Sequence, residues 1–553
     1  MEKHVRNDKE CRSPLWVWGK NLRKRIGLLA AMAVVAGGLA SDASAQDNQS
    51  GFDNLDEIRE RMMAYEQELQ TLRMMIYQNN DSPAARVPVE AENTSYEAAS
   101  YASAADGDDK RLAAVEKALK KINDDAAKKK ADDAKKPTQK WSGRVHWDYW
   151  QNGTDSSGLI NLLETDNPAL PPEDRIAFRR LRFGVAGDIP DNMTYKIEME
   201  FANGAAFRDA YLGWKSLPGN HTLLLGNQKR PYGLDHLNSS RYNVFMERPL
   251  IVEAVNQDAR RFGLCAYGLS NDEAWNWRYG VYNKEDVQTG TIGDYLGRSL
   301  QLEVAGRLAN TAWYDESSGG RGYFHWAISG SWGQPDGNVV ALGQTNVNEG
   351  AYQTRPELRT GGTNGNNGRW INTGAIPGAH SMSLVGLEAA LNLGSLAIVG
   401  EFIQTHVGRD GAVAPDIDYN GGYVYVSYFL TGEFTPWERE SGTLGRVKPH
   451  ENFWLVDRCC GGHGVGWGAW EVAGRFSYAD LSDNDVRGGF QQNATLGVNW
   501  WWNPNARVQF NYVYGEIRDK FAGLPGGVTP AAVAAQGNAG HFSGLGFRFM
   551  VDF

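Results

Sequence analysis

Two basic runs hold the side chains of this chain best suited to chemistry. In RIAFRRLRFGVAG, 175–187, Arg180 and Arg182 share one face of an extended chain while Leu181, Phe183 and Val185 take the other, and Arg179 follows the apolar set unless the strand bulges. In LGNQKRPYGLDHLNSSRYNVFMERPLIVEAVNQDARRFG, 225–263, Lys229, Arg230, Arg241, Arg248, Arg260 and Arg261 crowd around His236, Ser239 and Ser240. A guanidinium is permanently charged and offers a planar fork of donors that fits phosphate or carboxylate oxygens. After Trp141 the chain carries 27 Arg against 6 Lys. Such a set binds and passes anions; it does not by itself make or break bonds.

Other chemistries find little support. There is no GxSxG or HExxH motif, and GGHGVGWG, 461–468, lacks the helix pattern that must follow a nucleotide loop. Cys459 and Cys460 are adjacent in RCCGGHG, and even with His463 they do not make a four-ligand zinc spacing; Cys11 and Cys265 stand apart. No enzyme, metal or cofactor is expected, a lipid hydrolase using dispersed Ser and His being the enzymatic alternative. A formal net charge of −10 argues against nucleic acid as a partner, which requires a basic footprint.

The elements that must position the basic residues are strands. After Trp141 the pattern keeps period two, with strands expected from near Trp141, Arg175, Met193, Arg208, His221, Arg260, Glu273, Arg298, Gly322, His380, Ser395, Gly421, Trp467, Gly489, Ala506 and His541. That is sixteen, an even number, as single-chain bacterial barrels require. Leu496, Val498, Trp500 and Trp502 share one face, as do Val508, Phe510, Tyr512 and Tyr514, and Trp470, Val472, Phe476 and Tyr478, leaving Glu471 and Arg475 on the hidden face. The closing GFRFMVDF sets Phe547, Phe549, Val551 and Phe553 against Arg548 and Asp552. An apolar outside and a charged, water-facing inside suit a barrel closed in an outer membrane.

Before the barrel, residues 1–45 read as a signal peptide, with Arg23, Lys24 and Arg25 ahead of an apolar run and Ala43-Ser44-Ala45 at the cleavage site. Residues 46–80 read as a coiled-coil stalk through the heptad seam Leu55, Ile58, Met62, Tyr65, Leu69, Leu72 and Ile76. A disordered linker, 81–109, leads to a short helix seamed by Leu112, Val115, Leu119 and Ile122 and a charged tether, together 110–140, with the barrel over 141–553. The run between the strands flanking 225–263 is too long for an idle loop, and Val244, Phe245, Met246, Leu250, Ile251 and Val252 imply that it packs inside the barrel and narrows it. AYQTRPELRTGGTNGNNGRW, 351–370, adds Arg355, Arg359 and Arg369; Glu433–Gly466 falls on the periplasmic side, where Arg446, Lys448 and Arg458 would line an exit.

The runs FRRLRFGV, RDAYLGW, LGNQKRPYGLDHLNSSRYNVFMERPL, YFLTGE, GRVKPHENFW, GAWEVAGRFSY and TLGVNWWWNPNARVQFNYVYG, in this order, resemble the phosphate-selective porin family, porins O and P. The resemblance implies a trimer of sixteen-stranded barrels with three inward-folded segments and an arginine ladder leading to an anion site. It places Arg179, Arg180, Asp209, Ser239, Ser240, Arg241 and Arg248 at that site. His236 stands where the family's motif has a lysine, which implies weaker phosphate binding at neutral pH and an anion current that rises as pH falls through the His titration, between about pH 5 and 8.

The expectation is an all-β, 16-stranded antiparallel transmembrane β-barrel preceded by an α-helical coiled coil: an outer-membrane porin for phosphate or other small anions. The basic ladder adds Arg182, Lys229, Arg230, Arg260, Arg261, Arg355, Arg359, Arg446 and Lys448 to the site. Partners are small anions, outer-membrane lipid, two further copies of the chain and, through the coiled coil, the cell wall. A general or differently selective porin and a periplasm-spanning tether are the alternatives.

Overall fold

The computed structural model describes residues 135–156, 173–202, 204–256, 259–284, 301–335, 350–360, 368–412, 414–457, 462–520 and 539–553, with six helical positions between Lys117 and Lys128. The leader, the coiled-coil seam, the linker, Arg458, Cys459 and Cys460 lie outside the described residues.

Alternation of apolar and polar residues produces strands, and closure removes the unpaired edges that lipid would not tolerate. Strands β1 (Lys140–Asp155), β2 (Arg175–Ile189), β3 (Met193–Glu200), β4 (Ala206–Leu217), β5 (His221–Gln228), β6 (Arg261–Leu269), β7 (Trp275–Asn283), β8 (Leu302–Tyr314) and β9 (Gly322–Gly333) form the first part of the wall. Within the next loop, β10 (Gln353–Thr354) pairs with β11 (Ile371–Asn372). The wall continues with β12 (Ala379–Leu393), β13 (Leu396–Arg409) and β14 (Ile417–Phe429). The long connection between β14 and the next wall strand holds the small hairpins β15 (Trp437–Glu438) with β16 (Thr443–Leu444) and β17 (Trp454–Asp457) with β18 (His463–Gly466). β19 (Ala469–Asp483), β20 (Val486–Asn503), β21 (Ala506–Lys520) and β22 (Ala539–Asp552) complete it.

Sixteen of these strands close into one antiparallel barrel, with β1 paired to β22. All sixteen expected strands are present, their starts displaced by a few residues, as at Leu302 and Ile417. The terminal Phe553 exchanges backbone hydrogen bonds with Gly143 (3.0 and 3.2 Å). Its ring lies where a Cβ on residue 143 would stand, so a larger residue there would displace the ring.

The outward faces are apolar as expected: Leu496, Phe476, Phe510, Tyr512 and Tyr514 are exposed, although Val508 is covered. The inward charges are less wet than expected. Glu471, Arg475, Arg548 and Asp552 are buried in polar contacts beneath inward-folded chain, and Arg548 is only 1 % exposed.

The segment between β5 and β6 causes this. It carries two short helices, α1 (Leu234–Leu237) and α2 (Leu250–Val255), and packs Val244, Phe245, Met246, Leu250, Ile251 and Val252 against inward-facing Val399, Ile403, Tyr423 and Tyr425. A Cβ at Gly421 would lie 2.6 Å from Ile251, so α2 seats on β14 only over glycine. The wall grips the stretch from Asn243 to Glu247. Arg507 donates to Asn243 O (2.7 Å), Asn499 and Gln509 to Val244 O (2.9 and 3.1 Å), and Asn511 Oδ1 accepts from Met246 N (2.8 Å). One side of the lumen is therefore a packed core and the other is left open.

The second inward segment follows β9. Glu357, buried and at φ 64°, accepts from Arg475 (2.5 Å), Ser477 (2.5 Å) and Thr495 (3.0 Å) on β19 and β20, pinning the loop to the wall. The third belongs to the connection between β14 and β19, where Trp437 donates to Thr311 (3.0 Å) and Leu444 N donates to Asn238 Oδ1 (3.0 Å).

Candidate functional site

The open side of the lumen is a cavity of about 550 Å³ lined by twelve arginines and two lysines against three carboxylates. It gathers Arg179, Arg180, Arg182, Asp209, Lys229, His236, Ser239, Ser240, Arg241, Arg248, Arg260, Arg355 and Arg359 from the residues singled out in sequence, and Arg369 from the same external loop. It also includes Arg144, Lys196, Arg208 and Arg278, which had not been singled out. Simple alternation could have found two of them. Val145, Trp147 and Tyr149 oppose Arg144, and exposed Trp275, Tyr279 and Val281 oppose Arg278.

Two bulges set the inner wall. β1 pairs His146 with Arg180 and Trp147 with Phe178, so Arg179 is the extra residue of β2. Exposed Phe178 and Leu181 bracket the pair, and both Arg179 and Arg180 are delivered inward. β3 and β4 repeat the device: Ile197 pairs with Ala210 and Met199 with Phe207, which places Arg208 and Asp209 together at the cavity.

Most of these cations are committed to carboxylates. Arg144 donates to Glu198 (2.8 Å) and Ser240 (2.9 Å), and Arg182 to Glu198 (3.0 Å) and Glu200 (2.7 Å). Arg260 and Lys196 share Asp209 at 2.6 and 2.5 Å. Glu247 accepts from Arg179 (2.7 and 3.0 Å), Arg359 (3.0 Å) and Arg548 (2.9 Å), while Arg355 pairs with Glu253. Burial opposes the charge on Glu247, but Arg179, Arg359 and Arg548 overcome it and hold its carboxyl well below the usual range. Arg241 reaches Asp552 at 2.7 Å and Arg248 reaches Asp235 at 3.1 Å.

Arg180 differs. Among the described residues it pairs with no carboxylate; its closest polar contact is His146 Nδ1 at 3.4 Å, its Nε has no partner, and Arg179, Arg182, Arg548 and Arg248 surround it. A guanidinium held among like charges is poised to accept an anion.

The loop part of the site is built around α1. Glu401 on the wall accepts from the N–H groups of Leu234 and Asp235 (both 2.7 Å), and Lys229 spends three donors on the carbonyls of His236, Leu237 and Asn238 (2.7, 2.8 and 2.9 Å). This fixes His236 in a buried place. Burial and the charges of Lys229, Arg248, Arg230 and Arg260 push its pKa well below 6.5. This environment runs against the expected His236 switch between pH 5 and 8, because protonation would bury a cation among cations.

Four other residues of the expected basic ladder lie outside this cavity. Arg230 and Arg261 line a separate cavity of about 360 Å³, where Arg230 pairs with Glu303 at 2.9 Å. Neighbours on an extended chain point oppositely, so Lys229 and Arg230, like Arg260 and Arg261, part company. Arg446 does not line the central cavity but grips Asp552 and donates to Pro504 O (2.5 Å). Lys448 is exposed outside the cavity.

A family profile described as "Phosphate-selective porin O and P" matches residues 141–526. An uncharacterized protein of Caulobacter vibrioides is 27 % identical over 349 residues, 61 % of this chain; the chain spans 62 % of that relative's length. Among solved structures, the trimer form of in-vitro folded OmpT, an outer membrane protein of Vibrio cholerae, is 12 % identical with a TM-score of 0.43, covering 76 % of this chain and all of that one. An anion-selective porin from Comamonas acidovorans is 14 % identical with a TM-score of 0.44 at the same coverage.

Proposed function

Since the chain belongs to the phosphate-selective porin O and P family and is an outer-membrane porin, we propose that its channel selects small oxyanions, phosphate foremost. The observation that carries this reading is Arg180, an arginine without a carboxylate partner among the described residues, set in a cavity where cations outnumber acids. The paired arginines act differently. Held by Glu198, Glu200, Glu247 and Asp209, they form a rigid wall whose remaining donors and net positive field draw anions inward. Ser239 and Ser240 add neutral donors, and Arg144, bonded to Ser240, joins the site. No covalent step is involved; the anion exchanges part of its hydration for fixed donors and moves on. A homotrimer, the family's assembly, is part of the proposal.

The dense pairing of arginine with carboxylate supports a second reading, a general porin of modest selectivity, because each pair lowers the net field. Reversal potentials of the reconstituted protein in a potassium chloride gradient, followed by titration of phosphate into the same chamber, separate the two. Strong anion preference with chloride current blocked by phosphate supports the proposal. Equal permeability to potassium and chloride, without block, refutes it.

A further inference from the structure

The periplasmic connection between β14 and β19 does not stay in the lumen. After Arg446, bound to Asp552 and to the β20–β21 turn at Pro504, the chain passes over the rim and lies on the outer wall. Phe453 N donates to Trp502 O at 2.6 Å, and its ring meets Trp500 at 4.5 Å and Trp502 at 5.4 Å. Trp500 in turn donates its indole N–H to Trp467 O (2.8 Å). Trp500 and Trp502 belong to the outward face of β20, the face that carries Leu496 at 63 % exposure. Trp470 stacks on Trp500 at 5.0 Å, and Phe549 meets Trp502 at 5.3 Å. The hairpin β17–β18 is thus continuous with the lipid-facing surface.

Beside His463 it exposes three large apolar residues. Trp454 is 63 % exposed, and Val465 and Trp467 are each 75 % exposed. Trp454 holds φ 70°, a conformation unfavourable for a bulky side chain, so packing of Phe453 on the wall and display of Trp454 away from it occur in neighbouring residues. Tryptophan favours the boundary between headgroups and acyl chains. The hairpin also lies on the tall side of the barrel, where β19–β22 run 14–18 residues, longer than the roughly 9–11 that cross a bilayer. The short wall of β3, β5, β6 and β7, at 8 or 9 residues, is elsewhere.

We infer that this hairpin is a foot that inserts Trp454, Val465 and Trp467 into the periplasmic lipid interface. One connection then threads the pore and grips the membrane. The test reconstitutes the full chain in phosphatidylethanolamine and phosphatidylglycerol vesicles with and without acyl-brominated lipid. The fluorescence lost in the Trp454→Phe/Trp467→Phe variant is compared with that lost in Trp332→Phe, a tryptophan of the outer barrel face. Bromine quenching of both by the same factor, with protection from aqueous iodide, is the expected result. Quenching by iodide and not by bromine places the hairpin in water or against a soluble partner, and quenching by neither places it against a second copy; both overturn the inference. Val465→Trp adds a reporter without removing a contact, and its added emission must be bromine-quenched even if the double variant folds poorly.

Discussion

Replacing Arg180 with alanine separates anion binding from barrel stability. Arg180 contacts no carboxylate among the described residues, so the substitution orphans no acid, and it relieves like-charge crowding by Arg179, Arg182, Arg248 and Arg548. Unfolding should therefore stay where it is in the wild type. Phosphate binding should not. A hydrogen bond to a charged partner contributes about 1.5–3 kcal/mol, so losing one weakens binding about 10- to 150-fold. The bare Coulomb term, about 4 kcal/mol at 4 Å and an effective dielectric constant of 20, is an upper figure because phosphate sheds water on entry. The assay is the phosphate concentration that half-blocks chloride current through single channels in a planar bilayer, read beside the unfolding midpoint in urea. Arg182→Ala is the contrast. It leaves Glu198 and Glu200 short of a partner in a buried wall and should cost about 3–5 kcal/mol of stability. If Arg180→Ala shifts the half-block by less than twofold, or destabilises as Arg182→Ala does, the reasoning fails.

Glu247→Gln strips three guanidinium groups of a shared carboxylate and should cost about 3–5 kcal/mol in urea unfolding while raising the anion-to-cation ratio. Because the Glu247 carboxyl is held below 4.5, its stabilisation is full above that value and fades as pH falls further, so the variant should show less acid unfolding in that window. His236 has its folded pKa below 6.5; as pH falls through 6.5 the unfolded chain takes the proton first and stability drops. His236→Gln should remove that part of the thermal destabilisation while the permeability ratio stays flat between about pH 5 and 8, the range of ordinary His titration. Glu357→Ala unpins the loop that carries Arg355 and Arg359, and should lower stability by about 3–5 kcal/mol and enlarge single-channel conductance. Unchanged conductance would show that the loop is held by other contacts.

Strand number and facing were legible because they are properties of one strand at a time: period two in β19, β20 and β21 suffices to put Phe476, Leu496 and Phe510 outside. The inward packing of Phe245, Met246 and Ile251 was legible because six apolar residues in a long loop need cover. Arg179 was not, since its direction depends on where β1 slips against β2. The acid partners Glu198, Glu200 and Glu247 were invisible for a similar reason. A sequence gives the charge total, whereas the field along the pore depends on which carboxylate lies within 3 Å of which guanidinium. His236 was noticed by its residue type, but its titration is set by Lys229 and by the burial of α1, neither of which leaves a local signal.

The grip of the wall on Asn243–Glu247 bears on how the barrel is assembled. Arg507, Asn499, Gln509 and Asn511 reach partners about 255 to 265 positions earlier in the chain, and Arg548 bridges Glu247 to Asp148. Contacts of such sequence separation form late, after costly loop closure. A barrel that sealed β1 to β22 with this segment still outside would leave Arg507, Asn499 and Gln509 facing a wet lumen, without the backbone partners that the segment supplies. The segment that narrows the channel is therefore also the form on which its last strands settle, since seating it is what gives their inward polar side chains dry, fixed partners.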